Sequence, residues 1–135
     1  MKRMKKILRG HFWKRVIAYG LVWCLVMNTS VPTLLALEAG HVIDATGVDL
    51  GLVTWGDHTV IPADHGAIIN WNNFNTTGTQ SVTFTQPSVL SAVLNRIDSG
   101  ALATQFNGAL NANGRVFVVN PAGVIFGSTS TVNVA

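Results

Sequence analysis

The 135-residue chain is 48% hydrophobic and only 11% charged, with a formal net charge of +3. The sign misleads, because seven of its nine Lys and Arg residues (Lys2, Arg3, Lys5, Lys6, Arg9, Lys14 and Arg15) lie in the first fifteen positions. The remainder lacks the clustered cations that a phosphate backbone requires, which excludes nucleic acid as a partner.

Behind the basic cluster comes VIAYGLVWCLVM, Val16 to Met27, then Pro32 and TLLALEA, with Ala36 or Ala39 placed to precede a cut. Basic, apolar and small-residue parts in that order predict a helical secretory signal peptide over residues 1–36. The twelve-residue apolar stretch falls short of the roughly 20 residues of a membrane-spanning helix. Cleavage after Ala36 leaves 99 residues, in which Arg96 and Arg115 face Glu38, Asp44, Asp49, Asp57, Asp64 and Asp98, a net of −4. The only cysteine, Cys24, belongs to the leader, and Trp23 before it does not suit a lipidated site. The remaining chain therefore has no disulfide and no thiolate metal site.

After Ala36 the composition turns to Thr, Asn, Gly and Val, residues of strands and turns. In AIINWNNFN, Ala67, Ile69 and Trp71 share one side, and in TQSVTFTQP, Val82 and Phe84 alternate with Ser81, Thr83 and Thr85. Each run reads as a strand with one buried face. VLSAVLNRI, Val89 to Ile97, is assigned as a strand, although Val89, Val93, Leu94 and Ile97 also fit a helix. RVFVVN and GVIF are continuous apolar runs and predict strands covered on both faces. STVNVA, with Val132 and Val134 on one side, completes the series.

Turn signals separate these runs: Gly56-Asp57, Thr77-Gly78, Asp98-Ser99-Gly100, Asn107-Gly108, Asn113-Gly114 and Asn120-Pro121. Pro62, Pro87 and Pro121 follow short apolar or Thr-rich runs at spacings of 25 and 34, the scale of one solenoid coil. At about 20 to 25 residues per coil, 99 residues predict roughly four to five coils with an open lower end that favours self-association. A β-sandwich is the competing architecture. In VFVVNPAGVIFG, Asn120 supplies a side-chain acceptor, Pro121 presets φ and Gly123 fits the fourth position of a type I turn. Two apolar strands meeting at such a corner belong to different faces of a β-helix.

The residues that invite chemistry have structural readings. Asp57-His58 and Asp64-His65 repeat seven positions apart, but neighbours on a strand point to opposite faces, and both pairs adjoin turn glycines. They read as polar turn residues, and no catalytic, metal or cofactor site is assigned. Trp71 and Phe74 read as packing rather than a sugar-stacking pair. Asn75-Thr76-Thr77 matches a glycosylation acceptor and reads as a surface loop. The ten asparagines after position 36 suit either stacked amide ladders or solvent-facing turns.

The ordered segments AIINWNNFN, VTFTQPS, LNRI and NGALNANGRVFVVNPAGVIFG resemble the N-terminal two-partner secretion domain of filamentous haemagglutinin-type exoproteins, the TpsA family. Trp71, Phe74, Gln86, Pro87, Leu94, Asn95, Arg96, Asn113 and Gly114 carry the match, and Asn120, Pro121, Gly123 and Val124 fall on the family's Asn-Pro-Asn-Gly-Ile corner. Ala122 and Val124 depart from that wording; Ala122 deletes a polar side chain, and Val124 keeps a β-branched one.

The resemblance implies an all-β, right-handed parallel β-helix, incomplete in this chain because the family domain is longer. It further implies a non-enzymatic secretion and folding-nucleation module, exported by the general secretory machinery. In the periplasm an outer-membrane β-barrel transporter recognises it through docking domains, and the product is a secreted or cell-surface exoprotein of a Gram-negative bacterium. The alternative is a parallel β-helix carbohydrate-active enzyme or carbohydrate-binding surface protein. Such an enzyme needs acidic ligands and a basic residue gathered in a groove, and Arg96 and Arg115 stand on separate segments.

Overall fold

The computed structural model describes Leu37 and residues 41–135; the predicted signal peptide and both predicted cleavage positions lie outside the described residues. Ten short strands follow one another: β1 Val42–Thr46, β2 His58–Pro62, β3 Ala67–Trp71, β4 Ser81–Thr85, β5 Ala92–Ile97, β6 Thr104–Phe106, β7 Ala109–Ala112, β8 Arg115–Val119, β9 Val124–Phe126 and β10 Thr131–Asn133. Consecutive strands do not pair. Instead β2, β4, β7 and β10 form one parallel face, β3, β5 and β8 a second, and β6 and β9 a third, which Thr76 extends by a parallel bridge to Phe106. The chain is thus a parallel β-solenoid in which each coil lays one strand on each face.

About three coils are present rather than the expected four to five. Successive coils along the first face are offset by 23, 28 and 22 residues, from His58 to Ser81, Ala109 and Thr131. The residues before β2 add no coil. β1 lies antiparallel on β3 with an irregularity between Val42 and Asp44, followed by a 3-10 turn, Leu50–Leu52, whose Asp49 carboxylate accepts from Gly51 N at 2.9 Å. An antiparallel Thr54–Val60 bridge covers the edge of β2. This end of the solenoid is capped.

Strand alternation builds the core. Ile61 sits over Phe84, Thr59 over Val82 and Leu110, and Ala67 over Val93, all buried. Each large apolar side chain so enclosed contributes about 1.5–3 kcal/mol. Five aromatic rings run through the structure, Trp55–Trp71–Phe74–Phe106–Phe126, with successive centroids 6.3, 5.0, 5.7 and 5.7 Å apart.

Two sequence expectations resolve differently. The segment Val89 to Ile97 is a strand from Ala92 onward, as assigned, and the helical spacing is incidental because Val89 and Leu90 are exposed. The runs RVFVVN and GVIF, expected to be covered on both faces, are open: Phe117, Val119, Ile125 and Phe126 are each about half exposed. Val116 and Val118 alternate with Phe117 and Val119 and pack against the core, so the outward set meets solvent on the last complete coil.

Candidate functional site

The Asn-Pro corner joins β8 to β9. The Gly123 N–H donates to the Asn120 carbonyl at 2.9 Å, closing the four-residue turn, and Gly123 takes φ 101°, a region open to glycine without strain. Asn120 Oδ1 accepts from Ala122 N at 2.8 Å, the acceptor role expected of it. Its other end does something the sequence does not announce. Asn120 is buried, and its Nδ2 donates to Thr104 Oγ1 at 2.9 Å and to Ser99 Oγ and the Leu102 carbonyl at 3.1 Å. Those three residues form the equivalent corner of the preceding coil, between β5 and β6. The Asp98-Ser99-Gly100 turn signal marked that corner but gave no hint of its partner.

The solenoid's other two corners are fastened in the same way. Where β4 turns toward β5, Asn113 Oδ1 accepts from Gln86 N and Asn113 Nδ2 donates to the Gln86 carbonyl, both at 2.7 Å. Gln86 Nε2 then reaches the Arg115 carbonyl at 3.3 Å. A Cβ on Gly114 would lie 2.5 Å from Gln86 Oε1 and 2.9 Å from the Ser91 carbonyl oxygen, so the clamp leaves room for hydrogen only. At the third corner Thr76 Oγ1 accepts from Asn107 N and Gly108 N at 3.1 and 3.0 Å, and Asn107 Nδ2 donates to the Thr76 carbonyl at 3.2 Å. Asn107, Asn113 and Asn120 therefore each tie a corner of the third coil to the coil above. Neither stacked amide ladders nor plain solvated turns describes these three; they clamp the neighbouring coil.

The other segment-matching residues divide by face. Trp71, Phe74 and Asn95 are buried, and Trp71 Nε1 donates to Asn95 Oδ1 at 3.0 Å. Leu94 and Arg96 point outward, Pro87 is exposed, and Val124 pairs in register with Thr104. Pro121 is exposed at one end of a groove of about 460 Å³ that crosses the outer side of β1, β3, β5 and β8, lined also by Asp44, Asn70, Arg96 and Val119. The Asp-His pairs take part in inter-coil contacts: Gln80 Nε2 donates to Asp57 at 3.2 Å, His58 Nδ1 meets Ser81 Oγ at 2.9 Å, and His65 Nδ1 accepts from Ala92 N at 3.3 Å. Among the described residues no three His, Cys, Asp or Glu side chains gather as metal ligands. Asn75, the glycosylation-type asparagine, is exposed, and its Oδ1 accepts from Gln105 N at 2.8 Å.

Coils stacked in parallel, clamped at three corners and capped at one end define a parallel β-solenoid. Residues 57–135 match the TPS (two-partner secretion) secretion domain model, and the chain belongs to that family. It is 34% identical to the HMW1 secretion domain from Haemophilus influenzae, whose crystal structure it matches with a TM-score of 0.58 over 69% of this chain and 25% of that one. A heme/hemopexin-binding protein of H. influenzae strain Rd is 40% identical over 67 residues, 50% of this chain and 7% of the relative. A second H. influenzae protein of that name is 36% identical over 77 residues, 57% of this chain and 8% of the relative. The chain thus spans less than a tenth of the curated relatives it matches.

Proposed function

We propose that this chain addresses a large exoprotein of the adhesin or haemagglutinin type to its outer-membrane two-partner secretion transporter, and that its coils nucleate folding of the passenger. The match of residues 57–135 to the secretion-domain family carries this reading. Export begins with the signal peptide of residues 1–36, cut after Ala36 or Ala39, and periplasmic docking domains of the transporter then bind the module. The module does no covalent chemistry in this reading. Asn120 faces inward and Pro121 outward, so the corner motif meets a partner through Pro121 and the groove beside it, while Asn120 acts through the fold.

The test is capture of the purified chain by the periplasmic docking domains of its cognate transporter. Binding that is retained by the processed chain and competed by a longer secretion domain supports the reading. Failure of both the chain and the longer domain to bind removes it.

A further inference from the structure

We infer that Asn95 is a register lock, the side chain that selects one alignment of β5 among those the apolar pattern permits. Strands with one buried face resist a one-residue slip, because every side chain would change sides. A two-residue slip escapes that control. Along β3 the inward residues are Ala67, Ile69 and Trp71, and along β5 they are Val93, Asn95 and Ile97. Moving β5 by two keeps the same residues inward and meets no charge.

The neighbouring connections bury no large apolar side chain that would oppose the move: Val89 and Leu90 lie exposed before β5 and Leu102 after it. A slip would instead have to open hydrogen bonds at the corners, where Ser91 N donates to the Ser88 carbonyl and Ser99 and Leu102 accept from Asn120.

Asn95 breaks the degeneracy. It is fully buried in an otherwise apolar column, with Ile69 and Val118 as its register partners. Its Oδ1 accepts from Trp71 Nε1, 24 residues earlier, and its Nδ2 donates to the Phe117 carbonyl at 3.3 Å, 22 residues later. One amide thus reads the coil above and the coil below. Slipped either way, it would be carried away from the indole N–H, leaving buried polar groups without partners. A buried asparagine that fixes alignment at some cost in stability is known from helical assemblies; here the same physics acts between coils.

Disulfide trapping in the full-length chain tests this, with Cys24→Ser as background and the protein tethered by its N-terminus during oxidative refolding so that copies cannot meet. Outward-facing Ile68 and Leu94 are in register, so Ile68→Cys with Leu94→Cys reports the native alignment. Ile68→Cys with Arg96→Cys, and Asn70→Cys with Leu94→Cys, report the two slipped ones. Native diagonal neighbours sit roughly 7–8 Å apart, beyond ordinary disulfide reach. With Asn95 in place only the native pair is expected to close. Asn95→Val should raise one or both slipped disulfides about tenfold, the change that loss of one net hydrogen bond supports. The double variant Trp71→Phe with Asn95→Val, which also removes the orphaned indole N–H, should fold and slip likewise. Closure of the native pair alone in the double variant would overturn the assignment. Its failure to fold would also do so, since it would make the amide a stability element rather than a selector.

Discussion

Asn120 Nδ2 lies 2.9 Å from Thr104 Oγ1, a bond that joins the third coil to the second across 16 residues of chain. The corner is therefore held from the preceding coil as much as by its own turn. Asn120→Ala would remove the acceptor for Ala122 N together with the donor to Thr104 and its neighbours, leaving buried groups unpaired. A loss of about 2 kcal/mol is expected, measured by denaturant unfolding. Asn120→Asp, which keeps only the acceptor, should not recover it. Full stability in Asn120→Ala, with transporter docking lost, would make Asn120 a contact residue instead.

Gly114→Ala should destabilise the solenoid by roughly 1–3 kcal/mol, because its methyl group would press on Gln86 Oε1 and the Ser91 carbonyl. Adding Gln86→Ala frees one of those two contacts. A double-mutant cycle should show partial, not complete, recovery.

Phe84 and Phe117 differ in burial, not in chemistry. Phe84→Ala empties a core position and should cost about 3–5 kcal/mol, whereas Phe117→Ser, on the open side of β8, should change unfolding free energy by less than about 0.5 kcal/mol. Equal losses would mean that the outer side of β8 is covered in solution.

β10 is the last strand of its face, with Val132 and Val134 partly exposed. Unpaired edges of this kind recruit other chains. Sedimentation of residues 37–135 is expected to show concentration-dependent association, and Val132→Lys should weaken it. A monomer at every concentration would count against an adhesive lower end.

Much of this architecture was legible because alternation is a local signal. SVTFT announced β4 with Val82 and Phe84 inside, and Asn120-Pro121-Ala122-Gly123 announced its turn. Two of the errors share one cause: side-chain surroundings in a solenoid are set by the next coil, not by the run itself. RVFVV reads as doubly covered, yet nothing among the described residues covers the outer side of Phe117. The coil count was too high because residues 41–56 form a cap, and apolar periodicity does not distinguish an antiparallel strand from a parallel one. The partners of Asn107, Asn113 and Asn120 were invisible for the same reason. Each Asn marked a turn, while the groups its amide nitrogen binds lie one coil away.

The corner clamps reach back only 16 to 32 residues, from Asn120 to Thr104 at the short end and from Gly108 to Thr76 at the long end. Each clamp therefore spans about one coil, and none waits for a distant part of the chain. A coil can close as soon as the next is laid on it, so a chain taking up this fold widens in steps of some two dozen residues rather than all at once.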